Sequence, residues 1–244
     1  MNAFPRRLTR ITRIEGHDFV AVPHTANAQW VQDDQGRAWV CKREEETGFQ
    51  ALMAEAICTL LGKAIGAPVP DGAVYVGPDG QAWLSARVED AAHWAPDQAD
   101  YLVNLADAGA VLALDAIVLN DDRHSRNILL VPDPDELHVR FYGIDAGNAR
   151  VGFVTDFVGS APDALPALQK QARGLPLDAM RDGALAAALR AEQIDPDLLR
   201  EFVLEGCQLV QEPTVDALVA ALDARCRRAV ALTARYIDAL GTLP

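Results

Sequence analysis

Along the first third of the chain, short apolar runs separated by turn residues predict β-strands. Residues 19–22 and 29–31 read as two of them, Asp33-Asp34-Gln35-Gly36 reverses the chain, and residues 37–42 return as a third. The period then lengthens. Phe49, Leu52, Met53, Ala56, Ile57, Leu60, Leu61 and Ala64 recur at helical spacing, which predicts a helix over about 47–65 that Gly66 and Pro68 terminate. Residues 73–76 and 81–88 read as two further strands around a Gly77-Pro78-Asp79-Gly80 turn.

Past Glu89 the character changes. Residues 91–97 read as an irregular connector, and residues 101–119 as a long, mostly apolar helix. Helical spacing returns at 165–172, 183–193, 196–210 and 214–240, the last with Thr214 as N-cap and Gly241 as terminator. A single hairpin interrupts this half: 128–131 as one strand, a Pro132-Asp133-Pro134-Asp135 turn, and 137–144 as the returning strand. The predicted class is α+β, with a small sheet-rich N-lobe over 1–88 and a helical C-lobe over 89–244 forming one bilobal domain. A chain of 244 residues suffices for its core.

The candidate chemistry sits where the long helix ends. Leu119-Asn120-Asp121-Asp122-Arg123-His124-Ser125-Arg126-Asn127 precedes the hairpin, and Ile144-Asp145-Ala146-Gly147 follows it. An antiparallel hairpin brings its two open ends together, so Asn127 and Asp145 are expected at one place. Asp, then Asn five residues on, then a second Asp ahead of a small residue and glycine, is the polar set of a phosphoryl-transfer site. The first Asp orients the attacking hydroxyl; the Asn and second Asp hold a hard cation on the phosphates. Either half alone would be an exposed loop or an ordinary glycine turn. Joined by the hairpin, they favour the functional reading. Asp121 competes with Asp122, but the step to Asn127 favours Asp122. His124 either orients Asp122 or contacts a phosphate, or else bonds the loop backbone. Arg123 and Arg126 either neutralise phosphate charge or lie exposed, and Asn120 braces the loop.

Lys42 ends a strand ahead of the first helix, where an ammonium can reach nucleotide phosphates. Glu55 lies on that helix at the edge of its apolar stripe and can pair with Lys42; Glu44, Glu45 and Glu46 are rivals for the lysine. Ser85 and Arg87 fall where the sheet-rich lobe ends, which reads equally as an ordinary interlobe linker or as the seat of a nucleotide base against backbone groups. The segment Pro23-His24-Thr25-Ala26-Asn27-Ala28, which would cover the phosphates, has no glycine, so close backbone approach is not advertised there.

Charge and cysteine usage narrow the classes. With 22 basic and 35 acidic residues the net charge is −13, which argues against a general nucleic-acid or anionic-membrane surface. Cys41, Cys58, Cys207 and Cys226 show no paired metal-ligand spacing and read as reduced thiols. The start is basic without an apolar segment behind it, and the apolar stretch 108–119 is too short for a bilayer and holds Asp115. A cytoplasmic protein is expected; the oligomeric state is not readable.

Asn120-x-Asp122-x-His124-x-x-Asn127 followed by Ile144-Asp145-x-Gly147 resembles the HipA-like kinases, a branch of the protein-kinase-like superfamily near the phosphoinositide kinases. Val40-Cys41-Lys42, Ala54-Glu55-Ala56 and the Leu61–Pro70 phrase carry weaker agreement, and the resemblance spans about residues 15–150. It implies a protein-kinase-like fold, ATP and Mg2+, Asp122 as the catalytic aspartate, Asn127 and Asp145 as metal ligands, and Lys42 on the phosphates. The implied acceptor is a hydroxyl of a protein Ser or Thr, with a lipid or small molecule as the alternative. A nucleotide-binding pseudokinase acting through protein contacts is the rival from another class.

Overall fold

The computed structural model describes residues 7–16, 28–43, 48–134, 137–210 and 214–243. The expected strand at 19–22, most of the glycine-free segment and Glu44 to Glu46 lie outside them. Six strands, β1 (Thr9–Ile11), β2 (Ile14–Gly16), β3 (Ala28–Asp33), β4 (Ala38–Arg43), β5 (Gly72–Gly77) and β6 (Gly80–Ala86), form one sheet in the order β1-β5-β6-β4-β3-β2. Only the β1–β5 pair is parallel. Side chains alternate across a strand. In β4, Trp39 and Cys41 therefore join a small core with Ile11, Val31, Tyr75 and Leu84, while Lys42 points to the other face.

That other face meets helix α1 (Phe49–Ile65), which ends where Gly66 adopts a left-handed φ of 81°. Leu52, Met53, Ile57, Leu60 and Leu61 are buried in the larger core of the molecule, shared with the helices that follow. So α1 lies between strands in sequence but packs with the helical half. The rest comprises β7 (Ala92–His93), α2 (Leu105–Val118), β8 (Ile128–Pro132), β9 (Val139–Gly143), α3 (Val154–Gly159), α4 (Leu177–Glu192), α5 (Pro196–Val210), α6 (Val215–Cys226) and α7 (Ala229–Leu240). Every residue of α2 from Ala108 to Val118 is buried. It crosses α4 so closely that a Cβ on Gly109 would lie 2.2 Å from the Met180 carbonyl oxygen, and one on Gly183 2.2 Å from that of Ala106. Among the described residues no helix is long and apolar enough to cross a membrane.

Several expectations need correction. The helix expected from 101 starts at Leu105, because Asn104 is committed elsewhere: its side chain both donates to the Phe141 carbonyl at 3.0 Å and accepts from the Phe141 N–H at 2.7 Å. The connector at 91–97 contributes β7, which pairs with β8 and turns the hairpin into a three-stranded sheet. The helix expected over 214–240 breaks into α6 and α7, and the new N-terminus is held where Glu192 accepts from the Val230 N–H at 3.0 Å. Thr214 makes no side-chain cap. Residues 165–172 are not helical at all; their polar groups are spent on the loop described next.

Candidate active site

Helix α2 ends at Leu119 in a left-handed turn (φ 55°), and the chain enters the Asn120–Asn127 loop. Arg123 secures this loop from within. It is 2% exposed and donates through Nε and Nη2 to both carboxylate oxygens of Asp115, at 3.0 and 2.9 Å. Its Nη1 donates to the Asn127 carbonyl at 2.8 Å and to the Ile144 carbonyl. Burial alone would lower the guanidinium pKa, but the Asp115 carboxylate outweighs burial and holds it above the ordinary value. Arg123 is thus neither exposed nor available to phosphate, which corrects both readings offered from sequence. It ties the two open ends of the hairpin to one helix.

The convergence follows directly. The Ile144 N–H donates to the Asn127 carbonyl at 3.0 Å, so Asp145 begins one residue from the backbone of Asn127. The Asn127 amide donates to the Asp122 carbonyl at 2.8 Å, which commits its nitrogen and leaves its oxygen for another partner. Asn120 braces the loop as expected, donating to Asp115 at 2.8 Å and accepting from the Asp122 N–H at 3.2 Å. Asp121 is used structurally: it accepts from Arg150 Nε and from the Ala167 N–H, both at 2.6 Å. Asp122 keeps its carboxylate at the site, with Oδ2 accepting from Asn148 at 2.8 Å and Oδ1 lying 3.1 Å from Lys170 Nζ. His124 places Nε2 3.9 Å from Asp122 Oδ2, while Nδ1 accepts from the Arg126 N–H at 3.2 Å.

The sheet supplies the other side. Lys42 Nζ lies 2.6 Å from Glu55 Oε1 and 2.6 Å from Asp145 Oδ1. Glu55 Oε2 also accepts from the Ala146 N–H at 3.2 Å, so α1 is latched to the Asp145 turn. Tight packing at Gly152 brings that turn against α1: a Cβ there would lie 2.2 Å from the Gln50 carbonyl oxygen. Burial would lower the Lys42 pKa, yet the two carboxylates overcome it and hold the ammonium well above its ordinary 10.5. Burial would likewise raise Asp145, and Lys42 overcomes it, leaving the carboxyl below its ordinary 3.8. Asp145 adopts a left-handed φ of 54°, uncommon outside glycine and enriched at functional turns.

A small cavity between the two halves is lined by Glu55, Ser85, Leu114, Arg123, Ile144 and Asp145. Ser85 therefore joins the cluster. Lys42, Asp122, His124, Asn127 and Arg87 do not line this cavity, and the Arg87 guanidinium stacks over the Trp30 ring, 5.3 Å from the centroid. Two residues of the cluster, Lys170 and Asn148, had no signal in the sequence beyond being polar. No local spacing connects either to Asp122.

No family model and no curated sequence matches the chain. Solved structures do. The proinflammatory kinase CtkA of Helicobacter pylori matches with a TM-score of 0.59 at 11% identity, over 97% of this chain and 100% of that one. HipA of Shewanella oneidensis, solved with HipB and operator DNA, matches with a TM-score of 0.49 at 12% identity, over 85% of this chain and 61% of that one. The Rio2 kinase of Chaetomium thermophilum, solved with ADP/Mg2+ and phosphoaspartate, gives 0.39 at 16% identity, over 92% and 71%. The likeness to CtkA establishes an α+β kinase-like fold for this chain, as the motif around Asp122 led us to expect.

Proposed function

We propose that this protein is an ATP-dependent phosphotransferase that moves the γ-phosphoryl group of ATP to a hydroxyl, with a protein Ser or Thr as the acceptor. One observation carries the reading. Lys42 bridges Glu55 and Asp145 at 2.6 Å each, while Asp145 is held beside Asn127 and Asp122 by the buried Arg123. Each of these side chains is of the type that phosphoryl transfer uses. Lys42 aligns the nucleotide phosphates. Glu55 keeps the ammonium pointed into the cleft. Ser85 lies where the base would enter, with Arg87 at the margin.

Mg2+ fits the donor set. An amide oxygen and a carboxylate are hard oxygen donors, and magnesium takes one or two protein oxygens and completes its shell with phosphates and water. Asn127 and Asp145 would hold it, and when bound it neutralises charge on the phosphates. Asp122 accepts a hydrogen bond from the acceptor hydroxyl and takes its proton as the oxygen–phosphorus bond forms. The bond to the ADP oxygen breaks in line, and ADP leaves with that electron pair. His124 stands beside Asp122 and steadies the loop by accepting from Arg126.

A reducing cytoplasm suits four buried cysteines, all of them free thiols. The glycine-free segment Pro23–Ala28 supports a second reading, a pseudokinase that binds nucleotide without transferring phosphate. Incubating the purified chain with MgATP labelled at the γ or the α position separates the readings. The phosphotransferase incorporates or releases γ label only, and intact mass identifies the added group. Nucleotide-dependent thermal stabilisation without any label transfer would establish the pseudokinase instead.

A further inference from the structure

The segment that fails to be a helix is fastened to the Asp122 loop. The Ala167 N–H donates to Asp121 at 2.6 Å, Gln171 Nε2 to the Asn120 carbonyl at 3.0 Å, and the Ala172 N–H to the Arg123 carbonyl at 2.7 Å. One step further, Trp94 Nε1 donates to the Arg173 carbonyl at 2.9 Å. These tethers flank Lys170 on both sides. Its ammonium lies 3.1 Å from Asp122 Oδ1, on a side chain 68% exposed against 10% for the aspartate.

A pair whose lysine is this exposed is screened by water and adds little to stability, so stability does not explain why the segment holds it there. Position does. Both oxygens of Asp122 are engaged, Oδ2 by Asn148 and Oδ1 by Lys170. An acceptor hydroxyl must take one of them, and a long, exposed lysine side chain can swing aside without disturbing packing. In-line transfer puts the phosphoryl group within about 3 Å of that hydroxyl oxygen. An ammonium leaving Oδ1 is then already beside the phosphoryl oxygens, where the negative charge lies. Three cations around the loop are committed, Lys42 to Glu55 and Asp145, Arg123 to Asp115 and Arg150 to Asp121; Arg126 is exposed on the same loop, and it is Lys170 that reaches Asp122.

We propose that Lys170 is the cation that meets the transferred phosphoryl group. In the resting site it holds Asp122. As the acceptor arrives it cedes Oδ1 to the hydroxyl and turns to the phosphoryl oxygens. The proposal rests on the phosphotransferase reading and adds to it a residue from outside the motif.

The test uses the full chain and its Lys170→Ala, Lys170→Gln and Lys170→Arg variants, with phosphate release from MgATP as turnover. Binding of MgADP is compared with and without aluminium fluoride, which mimics the phosphoryl group in flight. The Ala and Gln variants should lose about a hundredfold in turnover, the scale of one removed charge-stabilising donor, and most of the tightening by aluminium fluoride. Their MgADP affinity should stay within about twofold of wild type, and Lys170→Arg should recover most of the loss. Wild-type turnover in Lys170→Gln would show that Lys170 only braces Asp122 through a hydrogen bond, and would overturn the proposal. So would unchanged aluminium fluoride binding in that variant. A wild-type chain that turns over while Lys170→Gln matches it defeats Lys170 alone. A wild-type chain that neither binds nor hydrolyses MgATP defeats the phosphotransferase reading, and this proposal with it.

Discussion

The two sides of the cleft are held together by different physics. On the sheet side, Lys42, Glu55 and Asp145 form a chain of charges whose geometry depends on all three being ionised. On the helical side, the Asn120–Asn127 loop is held by one fully buried ion pair, Arg123 with Asp115, and by the carbonyls and amides bonded to it. Arg123 and Asp115 are 2% and 1% exposed at the side chain, against 32% for Asp145. The sheet side can therefore be dismantled by protonation or mutation while the molecule stays folded. The helical side cannot, because its anchor is part of the core.

Four substitutions test this contrast. Asp122→Asn should lower phosphoryl transfer by about three orders of magnitude or more while MgATP still binds, since orientation and proton acceptance are lost and Lys42 is untouched. Turnover and calorimetric binding measured on the same sample check it. Arg123→Met should be the most damaging to folding. It leaves the Asp115 carboxylate buried without its charge partner, which costs about 3–5 kcal/mol, read as a lower urea midpoint.

Lys42→Met should weaken MgATP binding about tenfold or more, yet cost only about 1–2 kcal/mol, because Asp145 is a third exposed and water can replace the ammonium there. Its pH dependence follows from the two shifts. Asp145 is lowered in the fold, so its contribution is present above its ordinary 3.8 and is lost as pH falls through the folded value. Lys42 is raised, so its contribution is complete below its ordinary 10.5 and is lost as pH rises through the folded value. The stability difference between wild type and Lys42→Met should stay flat from about pH 5 to about pH 9 and shrink on the acid side. A slope across neutral pH would refute the three-charge picture. Asp121→Asn should be mildest, about 1 kcal/mol with turnover within a few-fold, because the half-buried Arg150 can turn to water. If Asp121→Asn instead abolished transfer, the roles of the two neighbouring aspartates would have to be exchanged.

Much of this arrangement could be read from the order of residues. The Asp122, Asn127 and Asp145 spacing named the polar set, and the hairpin between them explained how its ends could meet. Lys42 and Glu55 were identified by their places at a strand end and on the edge of a helix stripe. The rest depended on contacts that no local period encodes. Asn104 shortens α2 because Phe141 occupies both ends of its amide. Residues 165–172 carry helical spacing but give their polar groups to Asn120, Asp121 and Arg123. The buried Arg225 guanidinium donates to the Ala116, Ile117 and Ala164 carbonyls at 2.6, 2.6 and 2.9 Å, and burial pulls its pKa down to about 10.

Order along the chain was enough to choose the chemistry, because side-chain type and short spacing set which groups can hold phosphate, metal or a proton. It was enough for most elements too, since a helix or strand reveals its buried face by period alone. Folding settled which of two adjacent aspartates is spent on Arg150 and the Ala167 N–H, which arginine is a core anchor, and that a lysine 48 positions downstream stands at Asp122. Those outcomes turn on desolvation and on hydrogen bonds between distant segments, and both exist only once the chain has closed on itself.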